Sequence, residues 1–446
     1  MPGPLAGILV LDLTQQLVGP GSTMLLGDMG ADIVHVEPPL DPSVANANPA
    51  AALDRAGRMR AAYNFNRNKR SISIDLTTEA GREIVYDLAR RADVCIQNYR
   101  PGVAARLKLE YEDIASVNPS IVYCEISSSG FAGSERHRVG FDIIAQGIGG
   151  SMVPDWRNRD LPSPTAVPIG DVTGMCLAAL GVVAALHHRQ RTGEGQRIQT
   201  SMLDGVVLQN ILRMVAVEDG DRDWRDATIH GVRAMSESAV DYGTIVEASA
   251  TGIGGLPTDA ATGVPISVYY RAYRTADGFV VIGCLNLNQQ RRLNDALSLG
   301  DPRFEPGFNP AAPGALERAA AMQPRAEEIF RSRSTDEWIT FLDERSIACG
   351  RVLNTLELFD HPHHRANQMV VEYEDPWVGT VKMLGHPIRF SSTPMSIRTA
   401  ASPTGHETDE VLRSIGYTET KIGQLHESAV VHGAAAAARL SRQASP

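Results

Sequence analysis

Cysteine is scarce in this chain and never paired in sequence. The five present (Cys95, Cys124, Cys176, Cys284, Cys349) are odd in number and scattered, with no C-x-x-C, which reads as reduced thiols in a cytoplasmic protein. Positive charge is also in deficit. Forty-two Lys+Arg stand against 52 Asp+Glu, a net charge of −10, and a nucleic-acid partner would want a basic face. No basic region precedes the apolar start MPGPLAGILVLDLT, so no secretory signal is expected. No apolar run reaches the length of a membrane span; the longest candidate stops at His187-His188-Arg189, and no membrane association is expected. Neither G-x-S-x-G nor a Walker A sequence occurs, which leaves serine-hydrolase and P-loop chemistry without local support. In His361-Pro362-His363-His364 the proline breaks helical i, i+4 spacing, and no cysteine or carboxylate cluster joins it. That stretch reads as a loop, and no metal is expected.

What is present is a long, moderately apolar chain. Its 446 residues exceed one ordinary core, so two domains are expected, and 43% apolar with 21% charged residues is a globular composition. Residues 164–204 draw the most attention. Asp171 precedes an apolar run from Val172 to Leu186, which Thr192-Gly193-Glu194-Gly195 ends, because glycine accepts the left-handed geometry of a helix terminus. Apolar residues fall on nearly every side of that run, the pattern of a buried helix. Asp171 reads as its N-cap, and equally as a carboxylate positioned for chemistry at the positive helix end.

Elsewhere the pattern alternates strand and helix. Gly7–Leu13 reads as a buried strand, Met24–Met29 as an apolar helix and Asp32–Glu37 as a second strand. This strand–helix–strand unit implies a parallel sheet covered by helices. A dinucleotide reading with Glu37 as the ribose acid fails, because Met24 occupies the place of the third small residue after Gly19-x-Gly21. Ser71–Leu76, Val94–Ile96 and Ile121–Ile126 read as further strands. The loop Gln97–Gly102 follows a strand's C-terminal end, where parallel sheets bind ligands, and Arg100 and Arg106 suit phosphate oxygens. Residues 41–62 read as a surface excursion and 215–265 as a linker or mobile loop. Val268–Ile282 reads as a hairpin turning at Asp277-Gly278, 314–345 as helical, and 408–415 as the last helix. The domain expectation is 1–215 for the first part of a large domain, 216–330 for a linker and small domain, 331–432 for a return to the large domain, and 433–446 for a fraying tail.

Several stretches then match one family in order: PLAGILVLDLTQQLVGPGSTMLLGDMGADIVHVEPP, NRNKRSISIDL, ADVCIQNYRPGVAARLKL, GDVTGMCLAALGVVAALHHRQRTGEGQ and GHETDEVLRSIGY. Together they resemble the class III CoA-transferases, the formyl-CoA, carnitine and bile-acid CoA-transferase family. The resemblance implies an α/β fold: a Rossmann-like parallel-sheet large domain formed by both chain ends, a smaller inserted α+β domain, and an interlocked homodimer. It implies transfer of CoA from an acyl-CoA to a small carboxylic acid, with CoA entering as the acyl-CoA co-substrate and no metal. The family's nucleophilic aspartate falls on Asp171. CoA contacts fall on Val18, Ile74, Asn98, Tyr99, Arg100 and Arg106, with Arg138 toward the phosphates. A glycine-rich lid or oxyanion loop falls on Gly252–Gly255, including Gly254 and Gly255, and backbone N–H groups near Gly170 are a second oxyanion candidate. Pro38 replaces a CoA-contacting arginine of some members, and Gln15-Gln16 stands where residues vary with substrate. Racemases of the same fold, the alternative reading, carry a histidine where this chain has Phe141 in Gly140-Phe141-Asp142.

Overall fold

The computed structural model of the chain describes residues 2–39, 58, 62–155, 157–211, 214–238, 240–250, 267–309 and 314–433. Most of the 41–62 excursion, the whole Gly252–Gly255 loop and the tail from 434 lie outside these residues. Two compact units divide the chain. One comprises Met1–Asp155, Pro162–Ile211 and Phe359–Pro446, the other Trp156–Leu161 and Leu212–Leu358.

The first unit is built on alternating strands and helices: β1 (Leu9–Asp12), α1 (Val18–Asp28), β2 (Asp32–Glu37), β3 (Lys69–Ile74), α2 (Glu79–Ala89), β4 (Val94–Gln97), α3 (Val103–Leu107), α4 (Tyr111–Val117), β5 (Val122–Ser127), α5 (Asp142–Ile148), α6 (Ile169–Thr192), β6 (Gln196–Ser201) and α7 (Met202–Gln209). A last short strand, Val431–His432, pairs antiparallel with β3; all other neighbours are parallel. The order is Val431–His432, β3, β2, β1, β4, β5, β6. Strand alternation sends Leu11, Val34, Ile72 and Cys95 to one face, under α2 and the C-terminal helices. Val10, Ile33, Val94 and Cys124 go to the other face, under α1 and α6. Across the first three strands, buried Asp12 meets Lys69 Nζ and His35 Nδ1, each at 3.1 Å. Burial pushes the Asp12 carboxyl up, but Lys69 and His35 outweigh it and hold it below the usual carboxylate range.

Specific polar contacts fasten the returning segment to the N-terminal strands. Buried Arg67 pairs with Asp28 at 2.6 Å and donates to the Leu384 carbonyl at 2.6 Å. His386 Nδ1 lies 3.1 Å from the same carboxylate. The Arg398 guanidinium donates to the carbonyls of Gly27 and Ala31. The Asn68 side chain accepts from the backbone of Arg398 and Thr399.

The second unit contains an antiparallel three-stranded sheet in which Tyr270–Arg274 and Phe279–Gly283 form the expected hairpin and Cys349–Arg351 adds the third strand. Helix Thr335–Asp343, in the stretch assigned from sequence to the returning segment, contributes Trp338 and Leu342 to this unit's core. The return begins at Phe359.

Six expectations change. Helix α6 begins at Ile169, so Asp171 sits inside its first turn and makes no cap; the cap position is Pro168. The helix is not apolar-buried all round: Ala178, Val182 and Ala185 are covered, whereas Leu180 is 66% exposed. At 24 residues it is long and apolar enough to cross a membrane by composition, although no single apolar run in the sequence looked so. Within 215–265, the described part is helical, over Glu218–Glu237 and Tyr242–Ala250. Glu218–Glu237 is densely charged and carries Glu218–Arg222 pairing at helical spacing, with a narrow apolar stripe through Trp224, Val232 and Met235 that the surrounding charges obscured. Pro362–Ala366 forms a helical turn with proline at its permissive start, and helix Glu419–Glu427 follows the one expected to be last. Among the described residues no group of three or more His, Cys, Asp or Glu could hold a metal ion.

Candidate active site

The sheet order reverses between β1 and β4, and the loops leaving their C-terminal ends diverge there. Such switch points in parallel sheets open a crevice. Asn98, just after β4, bridges the gap: its Oδ1 accepts from the Gln15 N–H at 2.8 Å and its Nδ2 donates to the Gln15 carbonyl at 2.7 Å. Gln16 takes φ +68°, a left-handed turn that swings the chain from β1 into α1. A cleft of about 680 Å³ opens here, lined among others by Gln15, Gln16, Val18, Pro38, Ile74, Asn98, Tyr99, Arg100, Arg106, Arg138, Phe141 and Asp171.

Asp171 and the residues assigned to CoA contact thus line one cleft, although they come from separate segments, and Gly170 is not among its lining residues. Gly254 and Gly255 lie outside the described residues. Arg100 and Arg106 are exposed, and neither guanidinium makes an ion pair or hydrogen bond with the described residues. Their charge is available for an anion. Arg138, also exposed, pairs with Glu135.

Asp171 is half-buried at the cleft wall. Burial pushes its carboxyl up and the Asp142 carboxylate pushes it further, while the Val18 N–H hydrogen bond pulls it back. The net position is about 6. The backbone donors at the start of α6 do not serve Asp171. Asp142 Oδ1 accepts from Gly170 N–H at 2.7 Å and from Asp171 N–H at 3.1 Å. The expected oxyanion role for Gly170 N–H is therefore overturned, since that donor is already taken. Asp142 is the residue that spacing missed beside Asp171: it accepts from the start of a helix across 28 positions of sequence. The signal was a carboxylate just after Gly140-Phe141 with a glutamine, Gln146, one turn later.

The sequence profile of CoA-transferase family III matches residues 5–223 and 227–408. The chain belongs to this family. As a family III protein it is 32% identical over 400 residues to the succinyl-CoA:mesaconate CoA-transferase of Haloarcula hispanica, covering 88% of this chain and 91% of the relative. It is 30% identical over 437 residues to a formyl-CoA:oxalate CoA-transferase of Rhodopseudomonas palustris, covering 96% and 97%. Among solved structures, a CAIB/BAIF family protein from Brucella suis superposes with a TM-score of 0.70 at 25% identity, covering 93% of this chain and 100% of the other. This family III chain is a CoA-transferase enzyme. No histidine is among the described residues that line its cleft, and Phe141 there is 56% exposed.

Proposed function

We propose that this enzyme moves CoA from an acyl-CoA thioester to a free carboxylic acid, with Asp171 as the nucleophile. The observation that carries the reading is Asp171 on the wall of the same cleft as two unpaired arginines. An anionic phosphate arm and a thioester carbonyl have separate partners there. CoA is a substrate in this scheme, and the three cleft arginines fit its phosphates.

An Asp171 oxygen attacks the thioester carbonyl, the C–S bond breaks, and CoA leaves as a thiolate from a mixed anhydride. The thiolate then attacks the aspartyl carbonyl, releasing the donor's carboxylate and forming an aspartyl-CoA thioester. The acceptor carboxylate attacks that thioester to give a second anhydride and thiolate. Thiolate attack on the acceptor's acyl carbon gives the new acyl-CoA and restores Asp171. No proton, metal or redox partner enters the balance. The Val18 N–H, which already pulls the Asp171 carboxyl down, suits the oxyanion that forms on its carbonyl. Both intermediates hydrolyse, so water must be excluded, and the Gly252–Gly255 loop is the proposed cover.

The named activities of the two relatives support a small carboxylic acid, succinate- or oxalate-like, as the first donors and acceptors to try. An interlocked homodimer is part of the same reading, as is a cytoplasmic location. The test is Asp171→Ala and Asp171→Asn assayed against an acyl-CoA and carboxylate panel by mass spectrometry. Expected is loss of exchange by about three orders of magnitude or more, with hydroxylamine trapping in wild type modifying Asp171. Retained exchange in a folded Asp171→Ala enzyme sinks the reading. The racemase alternative predicts α-proton exchange in deuterated water without an acceptor acid.

A further inference from the structure

We infer that Asp142 is a positioning residue of this site: it takes the backbone donors at the start of α6, which would otherwise serve Asp171, and holds a like charge beside that carboxylate. The inference rests on Asp171 being the nucleophile. It begins from an arrangement that ordinary helix capping does not require. An aspartate in a helix's first turn is normally stabilised by the free N–H groups there. In α6 those of Gly170 and Asp171 are consumed by Asp142 Oδ1, at 2.7 and 3.1 Å. The approach depends on Gly170, where an added Cβ would meet that same oxygen at 2.9 Å.

Asp142 is itself held in place. The fully buried Gln146 donates from Nε2 to Asp142 Oδ2 at 2.5 Å. Gln146 Oε1 in turn accepts from the Thr165 N–H and hydroxyl, at 2.8 and 3.1 Å. Thr165 lies on the segment that leads into α6, so the same chain of bonds fixes the helix start and the carboxylate facing it. An amide donor on Oδ2 and two backbone donors on Oδ1 hold the Asp142 carboxylate in place.

The elements packed on α6 include α1, α5, α7, β5 and β6. Of their charged groups, Asp28 on α1 is paired with Arg67, Glu125 on β5 with Arg197 of β6, and Asp204 on α7 accepts from Ser201. Asp142 is the charge left facing Asp171, and it is the charged group acting on that carboxyl. The chemical consequence concerns the first bond formed. Attack on the thioester moves the negative charge from Asp171 to the departing sulfur. Repulsion from Asp142 is therefore present before the step and absent from the anhydride, so it lowers the barrier from the ground-state side. A more basic carboxylate is also the better nucleophile.

Asp142→Asn separates these effects from folding, since the amide oxygen still accepts at the helix start while the charge is gone. Profiles of kcat/KM against pH are measured for wild type and Asp142→Asn in the same exchange assay. Expected are an acid limb in wild type near pH 6, a limb lower by about one pH unit in the variant, and a kcat reduced about tenfold. An acid limb that stays in place overturns the inference, whatever happens to kcat. A second measurement needs no Asp142 variant: infrared titration of the carboxyl band that disappears in Asp171→Asn. A midpoint near 6 supports the inference, and one near the ordinary aspartate value of about 4 overturns it. Active, folded Asp171→Ala would instead sink the proposed function itself. An inactive Asp171→Ala with an unmoved limb in Asp142→Asn sinks this inference alone.

Discussion

Asp171 and Asp142 are both acidic residues at one helix start, and their environments pull them apart. Asp142 has three donors; Asp171 has the Val18 N–H, partial burial and a like charge beside it. Holding Asp171 ionised in the folded state therefore costs stability. Its folded carboxyl stands at about 6 against an ordinary 3.8, so between these values the native state keeps a proton that the unfolded chain has released. Stability accordingly falls as pH rises through that window and stays lower above it. Asp171→Asn is expected to gain about 1–2 kcal/mol at neutral pH, after discounting for solvent screening of a half-exposed group. Near pH 4 the gain should vanish, because wild-type Asp171 is then protonated. Denaturant unfolding of both proteins at the two pH values checks this, and an equal gain at both points to packing instead of charge. Loss of activity with gain of stability is the usual signature of a strained functional group. Asp171 stood out in the sequence because a glycine-flanked carboxylate before a long apolar run is a local pattern, but that pattern alone pointed to a cap it does not make, and its assignment as nucleophile came from the family resemblance. Asp142 did not, because its meaning is a contact made across 28 positions of sequence.

Helix α6 shows where local patterns stop. Its C-terminus was readable: Gly193 adopts φ +80°, and a Cβ at Gly195 would meet the Ile121 carbonyl at 2.2 Å, so both glycines are required. Its N-terminus was misread, because the cap comes from another element. The strands were legible for a different reason, since strands buried on both faces read as apolar runs whatever they pack against. Glu218–Glu237 escaped notice because its apolar stripe, Trp224, Val232 and Met235, is narrow and set among dense charges. The apolar face that α6 leaves open carries a prediction. Leu180 is 66% exposed and Val172 36% exposed on the open side of α6, and α5, which packs on α6, exposes Ile144 and Ile148. Such contiguous apolar surface marks an association face, and the homodimer reading supplies its occupant, a second copy of the chain. Leu180→Glu is expected to shift sedimentation from dimer toward monomer while circular dichroism stays the same. A wild-type monomer at micromolar concentration, or an unaltered dimer in the variant, removes α6 from the interface.

Across the whole chain the charge balance and the cleft have opposite signs. The sequence carries −10 overall, which repels a polyanion at long range, yet Arg100, Arg106 and Arg138 line the one cleft that also holds Asp171. An anionic substrate must be captured by this local cluster against the field of the rest. Arg100 and Arg106 are exposed and project from the loop and helix that follow β4, so their attraction for phosphate is screened by salt within about 10 Å at 0.1 M. Arg100→Ala and Arg106→Ala should each raise KM for acyl-CoA about tenfold at low ionic strength, with kcat changed little, because the phosphates are remote from the reacting carbonyl. At about 0.5 M salt the wild-type KM should rise toward that of the variants, and the difference should shrink. KM for the acceptor acid serves as the control, since a small carboxylate that never touches these arginines keeps its own salt dependence in all three proteins. If the acyl-CoA KM is equal in wild type and both variants at low salt, the phosphate grip lies elsewhere, and the cleft's basic residues lose their assigned role without touching the role of Asp171.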